Sequence, residues 1–209
     1  YDNSIGIDFR HESDQTYTEP FDGANNITNN DFANNIESEI RVVSARYECI
    51  EDNTFKSSGS TTSVYLENSG DSVIARNTFT NDNPKNNDVH SLLILGNHPG
   101  TDPNNNNNVV VNNTITGADT AIEIRRSNQD VLTGNIVTTG ETGIYFAATS
   151  KDNYFYVNAV MDNTIQAKDD TSNYFDFAPL EQGNQWSNYD ENQNGENCDA
   201  KDADKRCDD

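Results

Sequence analysis

The chain has 209 residues, 35 acidic and 13 basic, for a formal charge of −22, and 33 of its residues are Asn. Leu, Ile, Val and Phe together number only 41, a composition that taken alone signals disorder and excludes a helix bundle or doubly wound α/β core of this size. So negative a field also repels phosphate backbones and anionic bilayers, which argues against nucleic-acid partners, and the longest apolar run, Leu92-Leu93-Ile94-Leu95, is far short of a membrane span.

In chain order, the first predicted strand is Ile7-Asp8-Phe9. It stands within a coil, without a preceding strand or capping helix. Either the chain continues into further domains of a longer protein, or a second subunit covers this end in head-to-tail self-assembly, such as a surface layer or sheath. Tyr1-Asp2-Asn3-Ser4 carries no basic n-region, so a signal peptide is cleaved or absent. A repeat then begins. Ile27 with Asn30-Asp31-Phe32 leads to the strand Ile40-Arg41-Val42, and Ile50 with Asn53-Thr54-Phe55 leads to Val64-Tyr65-Leu66. Ile74 with Asn77-Thr78-Phe79 leads to Leu93-Ile94-Leu95, and Val110 with Asn113-Thr114-Ile115 leads to Ile122-Glu123-Ile124. Leu132 with Asn135-Ile136-Val137 leads to Ile144-Tyr145-Phe146, then comes Phe155 with Asn158-Ala159-Val160. Successive Asn lie 23, 24, 36, 22 and 23 residues apart, and the long step carries its surplus in polar stretches 81–88 and 97–108, predicted as loops. Asn173-Tyr174-Phe175-Asp176-Phe177 reads as a last partial coil.

Six Asn-x-apolar units, each with an apolar residue three positions ahead of the Asn, mark an internal repeat. A coil of 22–24 residues buries too few apolar side chains to stand alone, but stacking coils about 4.8 Å apart joins them into one core. At a shared corner, each Asn amide bonds the amides above and below it in a ladder. The expectation is an all-β fold, a right-handed parallel β-helix (solenoid) of about seven coils with a short strand on each side of a coil. Such a rod is roughly 33 Å long. The β-helix is placed at 1–189 and an acidic tail at 190–209.

In that tail, Asp190-Glu191-Asn192-Gln193-Asn194-Gly195 matches the first half of a D-x-[DN]-x-[DN]-G loop, whose alternate oxygen ligands suit Ca²⁺. The twelfth position is Lys201 where a bidentate Glu is needed, so Asp199 or Asp202 has to substitute. The candidate calcium ligands are Asp190, Asn192, Asn194 and Asp199. Cys198 and Cys207 read as a disulfide in an oxidising, extracytoplasmic setting, or as two free thiols. Cys49 reads as a half-buried core residue or an intermolecular bridge. Two glycosylation sequons, Asn26-Ile27-Thr28 and Asn112-Asn113-Thr114, are what an Asn-rich chain produces by chance. No regular Thr array shows along the sequence, so no ice-binding face is expected.

The Asn-x-apolar units with Gly143-Ile144-Tyr145-Phe146 resemble the right-handed parallel β-helix repeats of the NosD-like, carbohydrate-binding and sugar-hydrolase type. Gly183-Asn184-Gln185-Trp186-Ser187-Asn188-Tyr189 resembles the segment that closes those domains, so the resemblance covers about residues 5–195. It implies an extracellular or cell-surface protein, but no single activity, because that fold hosts lyases, hydrolases, epimerases, adhesins and scaffolds. One branch is linked to copper-enzyme maturation. This chain departs from copper handling, with one Met, three His (His11, His90, His98) and no Cys/His cluster.

Equivalent outward residues of a solenoid form columns. The middle of the second strand gives Asp8, Arg41, Tyr65, Ile94, Glu123 and Tyr145, and two positions on gives Arg10, Val43, Glu67, Gly96, Arg125 and Ala147. Rings, guanidinium forks and carboxylates are the set that packs against sugars and bonds their hydroxyls, which makes Asp8, Arg10, Arg41, Tyr65, Glu67, Glu123, Arg125 and Tyr145 candidates for binding a polysaccharide or cell-surface glycan. The alternative is a solvated face with ordinary cross-strand pairs, Asp8–Arg41 among them. Glycoside hydrolysis needs two carboxyls within about 10 Å, but Asp8 and Glu123 lie four coils apart and Glu67 is set against Gly96. Lyase or epimerase chemistry needs a base and a cation, for which Arg125, Arg126 and Tyr145 come nearest, with His90 and His98 flanking the extra loop. The expectation is a structural or saccharide-binding module, with a polysaccharide lyase, epimerase or glycoside hydrolase as the rival.

Overall fold

In a computed structural model, the structure describes residues 4–10, 25–33, 35–57, 62–82, 90–96, 106–147, 149–175 and 183–187. The tail 190–209, with Cys198, Cys207, Asp190, Asn192, Asn194 and Asp199, lies outside the described residues, as do His11 and His98.

Three parallel seven-stranded sheets wrap one core. Sheet A stacks β1 (Ile5–Arg10), β4 (Ser38–Val43), β7 (Thr62–Glu67), β10 (His90–Leu95), β13 (Thr120–Arg125), β16 (Thr142–Phe146) and β19 (Ile165–Asp169). Sheet B stacks β2 (Asn26–Thr28), β5 (Cys49–Glu51), β8 (Val73–Ala75), β11 (Val109–Val111), β14 (Val131–Thr133), β17 (Lys151–Tyr156) and β20 (Ser172–Tyr174). Sheet C stacks β3 (Asp31–Ala33), β6 (Thr54–Ser57), β9 (Thr78–Asn81), β12 (Thr114–Thr116), β15 (Ile136–Thr138), β18 (Ala159–Met161) and β21 (Gln185–Trp186). Each coil therefore runs A, B, C, and the expected seven-coil parallel solenoid is present. The two-sided coil needs correction, because the ladder Asn divides what reads as one strand into a sheet B and a sheet C piece.

That division is local chemistry. The residue ahead of each ladder Asn (Asn29, Asp52, Arg76, Asn112, Gly134 and Val157) has φ between +54° and +68°, which turns the chain sharply. Asn30, Asn53, Asn77, Asn113, Asn135, Asn158 and Asn184 then stack, each Nδ2 donating to the next Oδ1 at 2.9–3.1 Å. The same Nδ2 donates back to the carbonyl of the sheet B apolar residue one coil earlier: Asn53 to Ile27 at 2.8 Å, Asn77 to Ile50 at 2.8 Å, Asn113 to Ile74 at 2.9 Å. The two fixed offsets of the sequence repeat are thus the two ends of one hydrogen-bond pattern.

A second ladder runs along the A-to-B corner: Asn25, Glu48, Ser72, Asn108, Asp130, Asn153 and Asn173. Asn25 donates to Glu48 at 3.0 Å, and the Glu48 N–H to Ser72 Oγ at 3.3 Å. Asn108 donates through N–H and Nδ2 to Asp130 Oδ1 at 2.8 and 3.0 Å, and the Asp130 N–H donates to Asn153 at 2.8 Å. Asn106 and Asn108 are buried, so the chain returns to the solenoid two residues before the predicted loop ends.

The core holds one inward column from each of sheets B and C and two from sheet A. Phe32, Phe55 and Phe79 stack nearly parallel at 5.1 and 4.7 Å, and Trp186 packs on Phe155 and Phe175 at coil 7. Cys49 is not in this core. It lies half-buried on the outward register column of sheet B, beside Val73, as a free thiol.

Candidate functional site

Sheet A is the widest face and carries most of the predicted site residues. In each strand from β4 to β16 two successive side chains near the start are buried, as with Ser91 and Leu92 in β10, which breaks the alternation. The residue ahead of them, His90, consequently shares the outer side with the middle column. That column reads Asp8, Arg41, Tyr65, Leu93, Glu123, Tyr145 and Lys168. The next reads Arg10, Val43, Glu67, Leu95 and Arg125.

Three positions of the sequence columns need correction. Ile94 is fully buried, in register with Leu66 and Ile124, so Leu93 takes the outward place. Leu95, not Gly96, pairs with Glu67, and Ala147 is buried beyond the end of β16. The polar stretches around β10 hide where that strand starts, so counting by hydrophobicity slips by one residue. Asp8 and Arg41 are in register but bond elsewhere: Asp8 pairs with Arg10 at 2.7 Å, and Arg41 approaches Glu67 at 3.8 Å.

Three groups follow one another along the face. In coils 2 and 3 the Arg41 guanidinium lies 5.4 Å from the Tyr65 ring centre, and the Tyr65 hydroxyl donates to Glu67 at 3.0 Å. Burial, then the Glu67 bond and charge, push the Tyr65 hydroxyl up to about 12, with Arg41 and Arg126 opposing. In coils 4 and 5, Glu123 is bonded by His90 Nε2 and Arg125 Nε, its side chain 1% exposed and that of His90 8%. Burial pushes the Glu123 carboxyl up, but the bonds and charges of His90 and Arg125 prevail and hold it below the usual carboxylate range. In coils 6 and 7, Lys168 Nζ sits 4.1 Å from the Tyr145 ring centre, and the Tyr145 hydroxyl donates to Asp170 at 2.6 Å. The Asp170 bond, then burial, raises the Tyr145 hydroxyl above its ordinary range.

Arg126 follows β13 in a left-handed conformation, φ +53°, and has no carboxylate within ion-pair distance among the described residues. Its carbonyl lies against Gly96, where a Cβ would come within 1.8 Å of the oxygen, so only Gly fits there.

The predicted set is therefore brought onto one face, but not into one cluster. Arg125 joins Glu123, whereas Tyr145 sits with Lys168 and Asp170. Sequence reasoning placed His90 beside a loop, and its contact with Glu123 was legible only once the strand start was fixed. On sheet C, Thr54, Thr78 and Thr114 fall in one outward rank and Thr80, Thr116 and Thr138 in the next, with Thr116 and Thr138 hydroxyls 3.4 Å apart, but Ile136 and Ala159 continue the first rank and Lys56 and Met161 bound the second, so no regular Thr array runs down the face.

Among known proteins, residues 89–191, just under half of the chain, match the model of a family described as "Periplasmic copper-binding protein (NosD)". The matched stretch runs from the start of β10 past the Gly183–Tyr189 segment. The chain is a β-solenoid related to that family. No curated protein matches it.

Proposed function

We propose that this chain is a structural β-helix module of an extracellular or cell-surface protein, and that the outer face of sheet A binds a polysaccharide. The observation that carries this reading is the register of the face. Over all seven coils it aligns Tyr65 and Tyr145, each with a cation near its ring, with Arg41, Glu67, Glu123, Arg125 and Asp170. Such a row offers an extended chain of sugars hydrogen-bond partners at intervals of about 4.8 Å, set by the coil spacing. The test is a glycan array followed by calorimetry. A bound glycan whose affinity drops on Tyr65→Ala and on Tyr145→Ala, with an unchanged melting curve, supports the reading, and absence of any bound glycan refutes it.

A catalytic reading rests on one observation, the His90–Glu123 pair, since a carboxylate that orients an imidazole makes a general base. On incubation with the bound glycan, new reducing ends alone would establish a hydrolase, unsaturated ends a lyase, and a changed ratio of epimers with no cut chain an epimerase, each lost in His90→Gln. Copper does not fit the described residues: no three His, Cys, Asp or Glu among them converge, Cys49 and Met161 lie on different sheets, and His90 already spends Nε2 on Glu123. No copper step is assigned to them.

A further inference from the structure

The geometry points to a glycan with anionic sugar units, carboxylated or sulfated, held beside Tyr65 by Arg41 and Arg126. This rests on the glycan reading above and names the chemistry of its ligand. The two carboxylates in the outward columns of sheet A between coils 2 and 5 are already engaged: Glu67 accepts the Tyr65 hydroxyl and lies near Arg41, and Glu123 is bonded by His90 and Arg125. Arg126 has no carboxylate among the described residues, although acids outnumber basic residues by 35 to 13 in the chain. Arg41 reaches Glu67 only at 3.8 Å, beyond hydrogen-bond length, so its terminal donors are not spent on that carboxylate.

Arg41 sits over Tyr65. Arg126 follows Arg125, which is in register with Leu95 and, one coil further, with Glu67 of the Tyr65 strand, and its charge opposes the rise of the Tyr65 hydroxyl. Arg126 is also fixed in place: its left-handed backbone and the close approach of its carbonyl to Gly96 set where the side chain leaves the corner. Planar forks of donors match the oxygens of a carboxylate or sulfate, whereas a neutral hydroxyl uses only one of them. The overall charge of −22 does not abolish this attraction, because a Debye length of about 8 Å at physiological ionic strength confines the repulsion from distant acids.

Two matched pairs of oligosaccharides provide the test: oligogalacturonate against its methyl ester, and κ-carrageenan fragments against the same fragments after desulfation. Each is titrated by calorimetry into the parent chain, Arg126→Asn, which keeps a residue tolerant of positive φ, and Lys56→Ala on sheet C as a control. Tighter binding of the charged member of a pair by about tenfold or more, the scale of one charge-assisted hydrogen bond, is expected, with loss of that preference in Arg126→Asn and retention in Lys56→Ala. The pair that shows the preference identifies carboxylate or sulfate. Equal affinity for charged and neutral members overturns this inference and leaves the glycan reading standing. If the preference survives in Arg126→Asn, the assignment to Arg126 is overturned. If no oligosaccharide binds, in these pairs or on the array, both fall.

Discussion

Replacing Asp130 with Asn puts a number on the second ladder. Asp130 is fully buried at the A-to-B corner, where it accepts from Ser127 and from two donors of Asn108. Burial, only partly offset by those bonds, raises its carboxyl from 3.8 to about 6. That rise of roughly two units corresponds to about 3 kcal/mol. The sign follows from which state ionises first. Below about pH 4 both folded and unfolded chains keep the proton and there is no penalty; as pH rises the unfolded chain ionises first, so stability falls until the folded carboxyl ionises near 6 and the full penalty stays. Asn108 and Asn153 hold the adjacent rungs, so an amide fits, with its oxygen toward Asn108 and its NH2 toward the Ser127 hydroxyl. Urea unfolding of Asp130→Asn and the parent, followed by circular dichroism across this range, should show curves that coincide at low pH. By pH 8 the variant should be up to about 3 kcal/mol more stable. Other titrating groups are common to both proteins and cancel in the difference. Parallel pH profiles, or a variant less stable than the parent at pH 8, would refute the reasoning.

Three further changes probe the scaffold. Asn77→Ala removes the partner of the Asn53 N–H and of the Ile50 carbonyl, two buried groups, and should cost about 2–5 kcal/mol by chemical denaturation. Val157 is a β-branched residue at φ +57° where other coils carry Asn, Asp, Arg or Gly, so Val157→Asn should raise stability by roughly 1 kcal/mol, read as a higher melting temperature. Gly96→Ala drives a Cβ to 1.8 Å from the Arg126 carbonyl, so the end of β10 must separate from β13. Hydrogen exchange should then show loss of protection at the Gly96 N–H, which bonds the Arg125 carbonyl at 2.7 Å.

What the sequence made legible is what repeats. The ladder Asn bond one another from coil to coil, and the residue three positions ahead of each points into the core, so both recur at fixed spacing, and the fold class followed from them. The second ladder stayed hidden because its rungs vary between Asn, Glu, Ser and Asp. A backbone N–H donates equally to any of those oxygens, so packing sets no single residue type. The division into sheets B and C was hidden for a similar reason, since the turning residue is Arg76 in one coil and Val157 in another. On the outer face the columns were correct wherever alternation runs unbroken. They failed in coil 4, where Leu92, Leu93, Ile94 and Leu95 are all apolar and hydrophobicity cannot set which of them turn inward.

Because each ladder amide meets a chemically equivalent amide above and below it, the junction at the B-to-C corner is the same wherever it is cut. Residues 113–134 and 135–157 begin at ladder Asn and end just before the next, so either could be copied or deleted and leave an Asn-to-Asn junction. At that corner the number of coils is a free variable, and each added coil lengthens the sheet A face by about 4.8 Å, while the varied rungs of the A-to-B corner are what a new coil has to match. A lineage that copies such a unit extends its reach along an elongated ligand by one rung at a time, and a protein engineer can do the same.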